Sequence, residues 1–399
     1  MIFNTGGSNA TSKRNGTDIY ITDSTEGRIK GLIVRGNSVQ TGTPTPDSPK
    51  DIKSVELTEV TACGKNLLDC NGLVAQTING VTFTPVYEDG LLKYINVNGT
   101  ATDRANYDLN KRFSLKAGTY TYNGISGGSN STYVIHVLSL TSVTDGNKNF
   151  TLPENKTDLY TYVSVYAGTV CNNLKFYPMI RLAEVTDGTY EPYTASTVSL
   201  SEAIPLDGLN GARDFIDKEK GVKVQKFKLL RLSSDMEWIH TSNSGLWVYS
   251  SNVTDFKLVE ENATGDKTYG NAICNIATHS KTFNADEYAF SLWYAHGSYT
   301  GYRLAFRNEY TTDADTWKAY LDSHEVYILY ELAEPIETPL TSAQLLELSG
   351  LRTYEGATRV TNNAGADMAV EYFLNNNLGK NMAKVPHTRL DGTTLYVEV

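Results

Sequence analysis

Cysteine is scarce in this chain. Its 399 residues include 4, at Cys63, Cys70, Cys171 and Cys274, too few for a disulfide framework at this length. Cys63 and Cys70 stand close together, but their spacing matches no zinc-ligand pattern, so buried free thiols are expected. Charge is also thin, at 20% of residues, with Lys+Arg 35 against Asp+Glu 45 and a net charge of -10. A net negative chain with no compensating Lys/Arg run repels phosphate backbones, which argues against a nucleic-acid partner. No apolar run approaches the roughly 20 residues of a membrane span, and no membrane insertion is expected. The opening MIFNTGGSNATSKRNG has no basic stretch followed by an apolar core, so no secretory leader is expected.

The signatures of catalysis are missing too. The 6 histidines form neither H-x-x-x-H nor H-E-x-x-H, which removes a helical zinc site. His136 sits among Val134, Ile135 and Val137 in an apolar run and reads as a core histidine. Neither a G-x-S-x-G elbow nor a G-x-x-x-x-G-K-[ST] loop occurs. The Gly-rich NGISGGSNS at 123–131 lacks the following helix that would aim backbone amides at a phosphate. Glycoside cleavage needs two carboxylates flanking one bond, and Glu237 beside Trp238 or Asp286 with Glu287 before Trp293 supply acids without defining a pair. No enzyme and no cofactor are therefore expected. Structural calcium is not predicted either: VTDGNKN and TTDADTW offer oxygen ligands, but neither has EF-hand spacing.

What is abundant is tyrosine, at 26, and glycine, at 32, in a background of Thr, Ser and Asn. That composition suits short pleated strands joined by tight turns. The expected fold is mainly β, with two antiparallel β-sandwich or jelly-roll bodies, an N-terminal arm and short helices toward the C-terminus. Residues 1–51 read as the arm and a linker. Its strands DIYIT and IKGLIVRG carry too little apolar content for a core, so residues 1–40 are expected to order against a partner. Pro44, Pro46 and Pro49 stiffen the linker. Residues 52–206 read as the first sandwich and 207–221 as a charged junction. Residues 222–335 read as the second sandwich, and 336–399 as a terminal helix and strands. In NFTLPENKTDLYTYVSVYAG, Leu159, Thr161, Val163 and Val165 share one face, and Tyr160, Tyr162, Ser164 and Tyr166 the other. In YAFSLWYAHG, Phe290 and Leu292 likewise oppose Ala289, Ser291 and Trp293. Helices are expected at 313–323, capped by Asp313 or Asp315, and at 341–349, capped by Thr341 or Ser342.

A binding surface is the best-supported site. Sugar recognition needs flat aromatic faces beside amides and hydroxyls. SNSGLWVYSSN at 242–252 places Trp247 and Tyr249 on one strand face with Asn243, Ser250 and Asn252 nearby. Trp293 stands on a face whose neighbours, Ala289, Ser291 and Ala295, are too small to cover it. The candidate carbohydrate-binding residues are thus Trp247, Tyr249, Trp293, Asn243 and Asn252.

Several long strings carry a resemblance: GRIKGLIVRGNSVQTGTPTPDSPKDIKSV, GKNLLD, INGVTFTPVYEDGLLKYINVNGTA, YPMIRLAEVTDGTYEPYT, YELAEPIETPLTSAQL and TNNAGADMAVEYF. Together they resemble tail and fibre proteins of tailed phages that infect Gram-positive gut bacteria. The resemblance implies a virion structural protein on the tail or another peripheral appendage, assembled in the host cytoplasm. It implies homo-oligomers, usually trimers, and carbohydrate-binding-module-like jelly rolls. It also implies attachment to other virion proteins, here through residues 1–40, and to host surface carbohydrate. A tail fibre or receptor-binding protein is the leading expectation. A structural adaptor or head-decoration fibre is the alternative, and a glycan depolymerase comes third.

Overall fold

The computed structural model describes residues 11–109, 112–123, 128–137, 141–143, 147–241, 247–258, 260–261, 267–268, 271–280, 288–296, 300–374, 384–388 and 394–398. The chain is mainly β, and its two helices among these residues are short. Both follow their capping signals. Ala314–Ser323 starts after Asp313, whose Oδ1 accepts from the Thr316 amide at 2.7 Å. Ser342–Leu348 starts after Thr341, which forms a capping box with Gln344. No helix of the described residues is long and apolar enough to cross a membrane.

Among the described residues three large apolar cores stand out. The first draws on stretches far apart in sequence: Leu32 and Val34, Leu57 and Val60, Val198 and Leu206, Met368 and Val370. Two sheets enclose it. One has seven strands in the order Thr11–Gly16, Asp367–Phe373, Gly31–Arg35, Phe215–Asp217, Val222–Arg231, Tyr327–Pro339 and Ala272–Cys274. The other runs Asp18–Ile21, Thr358–Asn362, Lys53–Cys63 and Ala195–Leu206. We call this unit the frame.

The frame corrects three expectations. The arm does not wait for a partner, because Thr11–Gly16 pairs antiparallel with Asp367–Phe373 and Asp18–Ile21 with Thr358–Asn362. Its few apolar residues suffice because they add to a shared core, with Ile19, Leu32 and Val34 at most 2% exposed. The stretch 52–206 is not one body either, since its end strands, Lys53–Cys63 and Ala195–Leu206, pair with each other in the frame. The junction 207–221 does not lie between two bodies but contributes a strand to the middle of the frame. Phe215–Asp217 sits inside the seven-stranded sheet, and buried Asp214 accepts backbone N–H bonds from Asp207, Lys226 and Phe227. Packing there is close, and a Cβ at Gly36 would overlap the Asp207 carbonyl.

The first body leaves the frame after Cys63 and returns at Ala195, two positions that face each other across the pair of frame strands. Its neck is closed by residues that follow Cys63 and residues that precede Ala195. Asn66 is 1% exposed and uses its whole amide: Nδ2 donates to the Pro178 and Glu191 carbonyls, and Oδ1 accepts from the Leu68 and Ile180 amides. Lys65 is sealed beside it and pairs with Asp187 and Glu191, both at 2.7 Å. GKNLLD and YPMIRLAEVTDGTYEPYT are therefore the two halves of one latch. Within the body, antiparallel strands surround a core that includes Val163, Val165, Tyr120 and Phe176. Tyr160, Tyr162 and Tyr166 lie on the opposite, partly open face, as the alternation implies.

The second body is built on a core of Trp238, Phe256, Phe290, Phe306 and Trp317. Trp238 meets Trp317 edge-on at 5.6 Å, and the helix Ala314–Ser323 contributes Trp317, Tyr320 and Leu321.

Glu371 clamps the frame's edge. Its carboxylate receives Lys30 Nζ at 2.6 Å, Lys13 Nζ at 3.1 Å and Thr11 Oγ1 at 3.1 Å. Those bonds, from Lys30 first and then Lys13, hold its pKa down from 4.5 to about 2. A carboxyl whose folded pKa is depressed stabilises fully above its unfolded value, and that share is lost as pH falls through the folded value. Stability should therefore fall between pH 4.5 and about 2, and Glu371→Gln should flatten that part of the curve. Denaturant midpoints across this range are the measurement, and identical slopes for parent and variant would contradict the clamp.

Candidate functional site

The candidate site follows from three strands of the second body whose side chains alternate between two faces. Trp247–Ser250 pairs with Gly301–Arg307, which pairs with Ala289–Ala295. Val248, Leu304, Phe306, Phe290 and Leu292 point into the core. Trp247, Ala305 and Ala289 therefore share the other face, where Tyr249 and Trp293 pack against them as a separate small cluster. The predicted rings do come together. Tyr249 stands opposite Ala305, Ala305 opposite Ser291, and Trp293 opposite Arg303. Ala305 on the middle strand, with Ser291 and Ala289 beside it, forms the floor between the rings, and Arg303 and Arg307 flank it.

The rings differ in access. Trp247 is 2% exposed, and the floor residues Ala289, Ser291 and Ala305 are each 1% exposed. Trp247 is thus part of the closed floor and offers no free face for stacking. Alternation reveals which side of a sheet a residue takes but not what packs over that side. Tyr249 and Trp293 remain half-buried. Arg303, which the sequence reading passed over, completes the patch. Its guanidinium carbon lies 4.7 Å from the Tyr249 ring centre, and Nη1 donates to Ser251 Oγ and the Tyr302 carbonyl, both at 2.9 Å. The signal was present in GYRLAFR, where Arg303 alternates with Leu304 across from Trp293.

The amide partners are not placed as expected. Asn252 is exposed, but its Oδ1 already accepts from the Glu237 amide at 2.8 Å and from Ser250 Oγ at 2.9 Å. It pins a turn. Asn243 lies outside the described residues, as do Asp286 and Glu287. Glu237 is exposed and its neighbour Trp238 is core, 4% exposed. Asp313, one of the oxygen donors in TTDADTW, is occupied as a helix cap. Among the described residues no group of three His, Cys, Asp or Glu is placed to hold a metal ion.

Two further readings resolve elsewhere. All four thiols are free and buried, and burial pushes Cys63 up to about 11 and Cys274 up to about 12. His136 is not a core residue. It is half-buried on the outer face of the first body, stacked on Tyr162 at 4.6 Å.

Compared with protein-family models, with curated proteins and with solved structures, the chain matches none.

The floor assignment is testable. All four tryptophans lie in the second body, so tryptophan fluorescence follows its unfolding alone. Trp247→Ala should cost about 3–5 kcal/mol, as for a large buried aromatic. Tyr249→Ala, at a half-open position, should cost less than about 1 kcal/mol. Equal midpoints for Trp247→Ala and the parent would put the ring outside the floor.

Proposed function

We propose that the protein is a phage virion structural protein, a tail fibre or receptor-binding protein that attaches to host cell-surface glycans. In this reading Tyr249 and Trp293 provide the sugar-facing rings and Arg303 the polar flank, while Trp247 supports them from below. The observation that carries it is the separate aromatic cluster on the sheet face opposite the second body's core. A core needs no second cluster there, and a shallow shelf of two half-open rings and a guanidinium suits pyranose C–H faces and hydroxyls. Support for the virion setting comes from the strings resembling phage tail and fibre proteins. They fall mostly on the frame and on the neck latch, the parts that hold the two bodies, so they speak for assembly more than for ligand choice. Both bodies read best as carbohydrate-binding-module-like jelly rolls, for which their antiparallel strands around single cores speak.

Such a shelf makes few contacts, so single-site dissociation constants near the millimolar end are expected, and several copies on one homotrimeric fibre raise the working affinity by roughly 10²–10⁴. Within residues 1–40 the attachment point to other virion proteins is the outer edge of Thr11–Gly16, the terminal strand of its sheet among the described residues. The second reading, a non-catalytic adaptor or head-decoration fibre, draws on the burial of Trp247, which shrinks the shelf to two rings.

Adsorption assays separate the two. Tyr249→Ala with Trp293→Ala should leave assembly intact and reduce host adsorption by about tenfold or more, given the loss of both stacking rings at every copy. Normal adsorption by the assembled double variant would favour the adaptor.

A further inference from the structure

We propose that the outer face of the first body is a second carbohydrate site, shaped for an acidic polysaccharide. This rests on the reading of the protein as a glycan binder, but its residues are distinct from those of the second body. Thr161–Val165 lies between Ala105–Asp108 and Tyr133–Val137. On its outer side the groups form an unbroken row. The Arg112 guanidinium lies 4.2 Å from the Tyr160 ring centre, Tyr160 stacks toward Tyr162 at 6.1 Å, and Tyr162 stacks on His136 at 4.6 Å. His136 Nε2 then meets Arg104 Nη2 at 3.1 Å, and Arg104 sits 5.0 Å from the Tyr166 ring centre. From Tyr160 to Tyr166 a strand rises about 20 Å, long enough for an extended oligosaccharide and too long for one sugar.

The charge of the ligand follows from Arg104. Several other cations of the chain have carboxylate partners, such as Asp18 for Arg359 and Asp187 for Lys65. Among the described residues the Arg104 guanidinium bonds neutral groups: Asn106 Oδ1 at 3.1 Å, Ser164 Oγ at 3.1 and 3.3 Å, and His136. Burial, then the nearby Arg104 charge, lowers the pKa of His136, so the imidazole stays neutral and accepts from Arg104. An exposed guanidinium oriented by three neutral groups and flanked by tyrosine rings fits a carboxylate or phosphate carried on a sugar chain. Single-stranded nucleic acid shares the taste for rings and arginines. A chain of net charge -10 repels it over a far larger surface than this row covers, which favours the sparser charge of a polysaccharide.

The test uses the full chain in calorimetric titrations. The probes are oligogalacturonate, hyaluronan oligosaccharide and glycerol-phosphate teichoic acid, beside neutral cellohexaose and an oligothymidylate. At least one acidic saccharide should bind about tenfold more tightly than cellohexaose and weaken as salt rises from about 20 to 200 mM. Arg104→Gln at an exposed position and Tyr162→Ala at a half-buried one should each lower that affinity by about fivefold or more, while Tyr249→Ala with Trp293→Ala leaves it unchanged. The proposal is overturned by no binding to any acidic probe, by equal binding of cellohexaose, or by tighter binding of the oligothymidylate. Unchanged affinity in folded Arg104→Gln and Tyr162→Ala overturns it too. Loss of affinity only in the Tyr249/Trp293 variant would assign the saccharide to the second body instead.

Discussion

One ion pair ties the strand Asp18–Ile21 to Thr358–Asn362 beside the first body. Arg359 donates Nε to Asp18 Oδ1 at 3.0 Å and Nη2 to Asp18 Oδ2 at 2.7 Å, and the two side chains are 15% and 10% exposed. Burial alone would make the guanidinium easier to deprotonate, but the paired carboxylate outweighs it and holds the charge. The same carboxylate strand reaches into the first body. Lys116 Nζ donates to the Asp18 carbonyl at 2.9 Å, and the Tyr20 and Tyr120 hydroxyls meet at 3.3 Å. Removing either partner would leave an uncompensated charge in a closed place, which costs about 3–5 kcal/mol where it has been measured.

That constraint explains the architecture. A frame assembled from the start, middle and end of the chain presents two inserted bodies, each with its own core. The frame supplies order, and the bodies supply surfaces. The neck latch of Lys65 and Asn66 joins the two ends of the first body where it leaves the frame, while Val222–Arg231 and Tyr327–Pro339 run from the frame into the second as one antiparallel pair with a bulge between Gln225 and Phe227. Both outer faces carry tyrosine rings beside cations, Arg303 over Tyr249 in one and Arg104 and Arg112 along Tyr160–Tyr166 in the other.

How much of this was legible depends on the range of each interaction. Helix caps were readable because Asp313 and Thr341 act on residues three positions away. Strand faces were readable because alternation is local, and Phe290 and Trp293 take opposite sides as their spacing implies. The partnership of Thr11–Gly16 with Asp367–Phe373 was not, since nothing in a short strand names a partner more than 350 residues away. The burial of Trp247 and the openness of His136 were missed for a related reason. Period two separates sides, and only packing decides which side is covered. GKNLLD was seen as a resemblance, and its physical role, a buried asparagine with four satisfied bonds, needed the distant strand at Ile180.

The Asp18–Arg359 pair holds the strand Asp18–Ile21, to which Lys116 and Tyr120 of the first body are bonded, and native-state hydrogen exchange tests that coupling directly. In Arg359→Met, the amides of Asp18–Ile21, Thr358–Asn362 and Lys116–Tyr120 should lose protection together, by about 10²–10³-fold, the equivalent of a broken buried pair. Loss confined to one of the three segments, or a change below about threefold in all of them, would contradict a frame locked at this point.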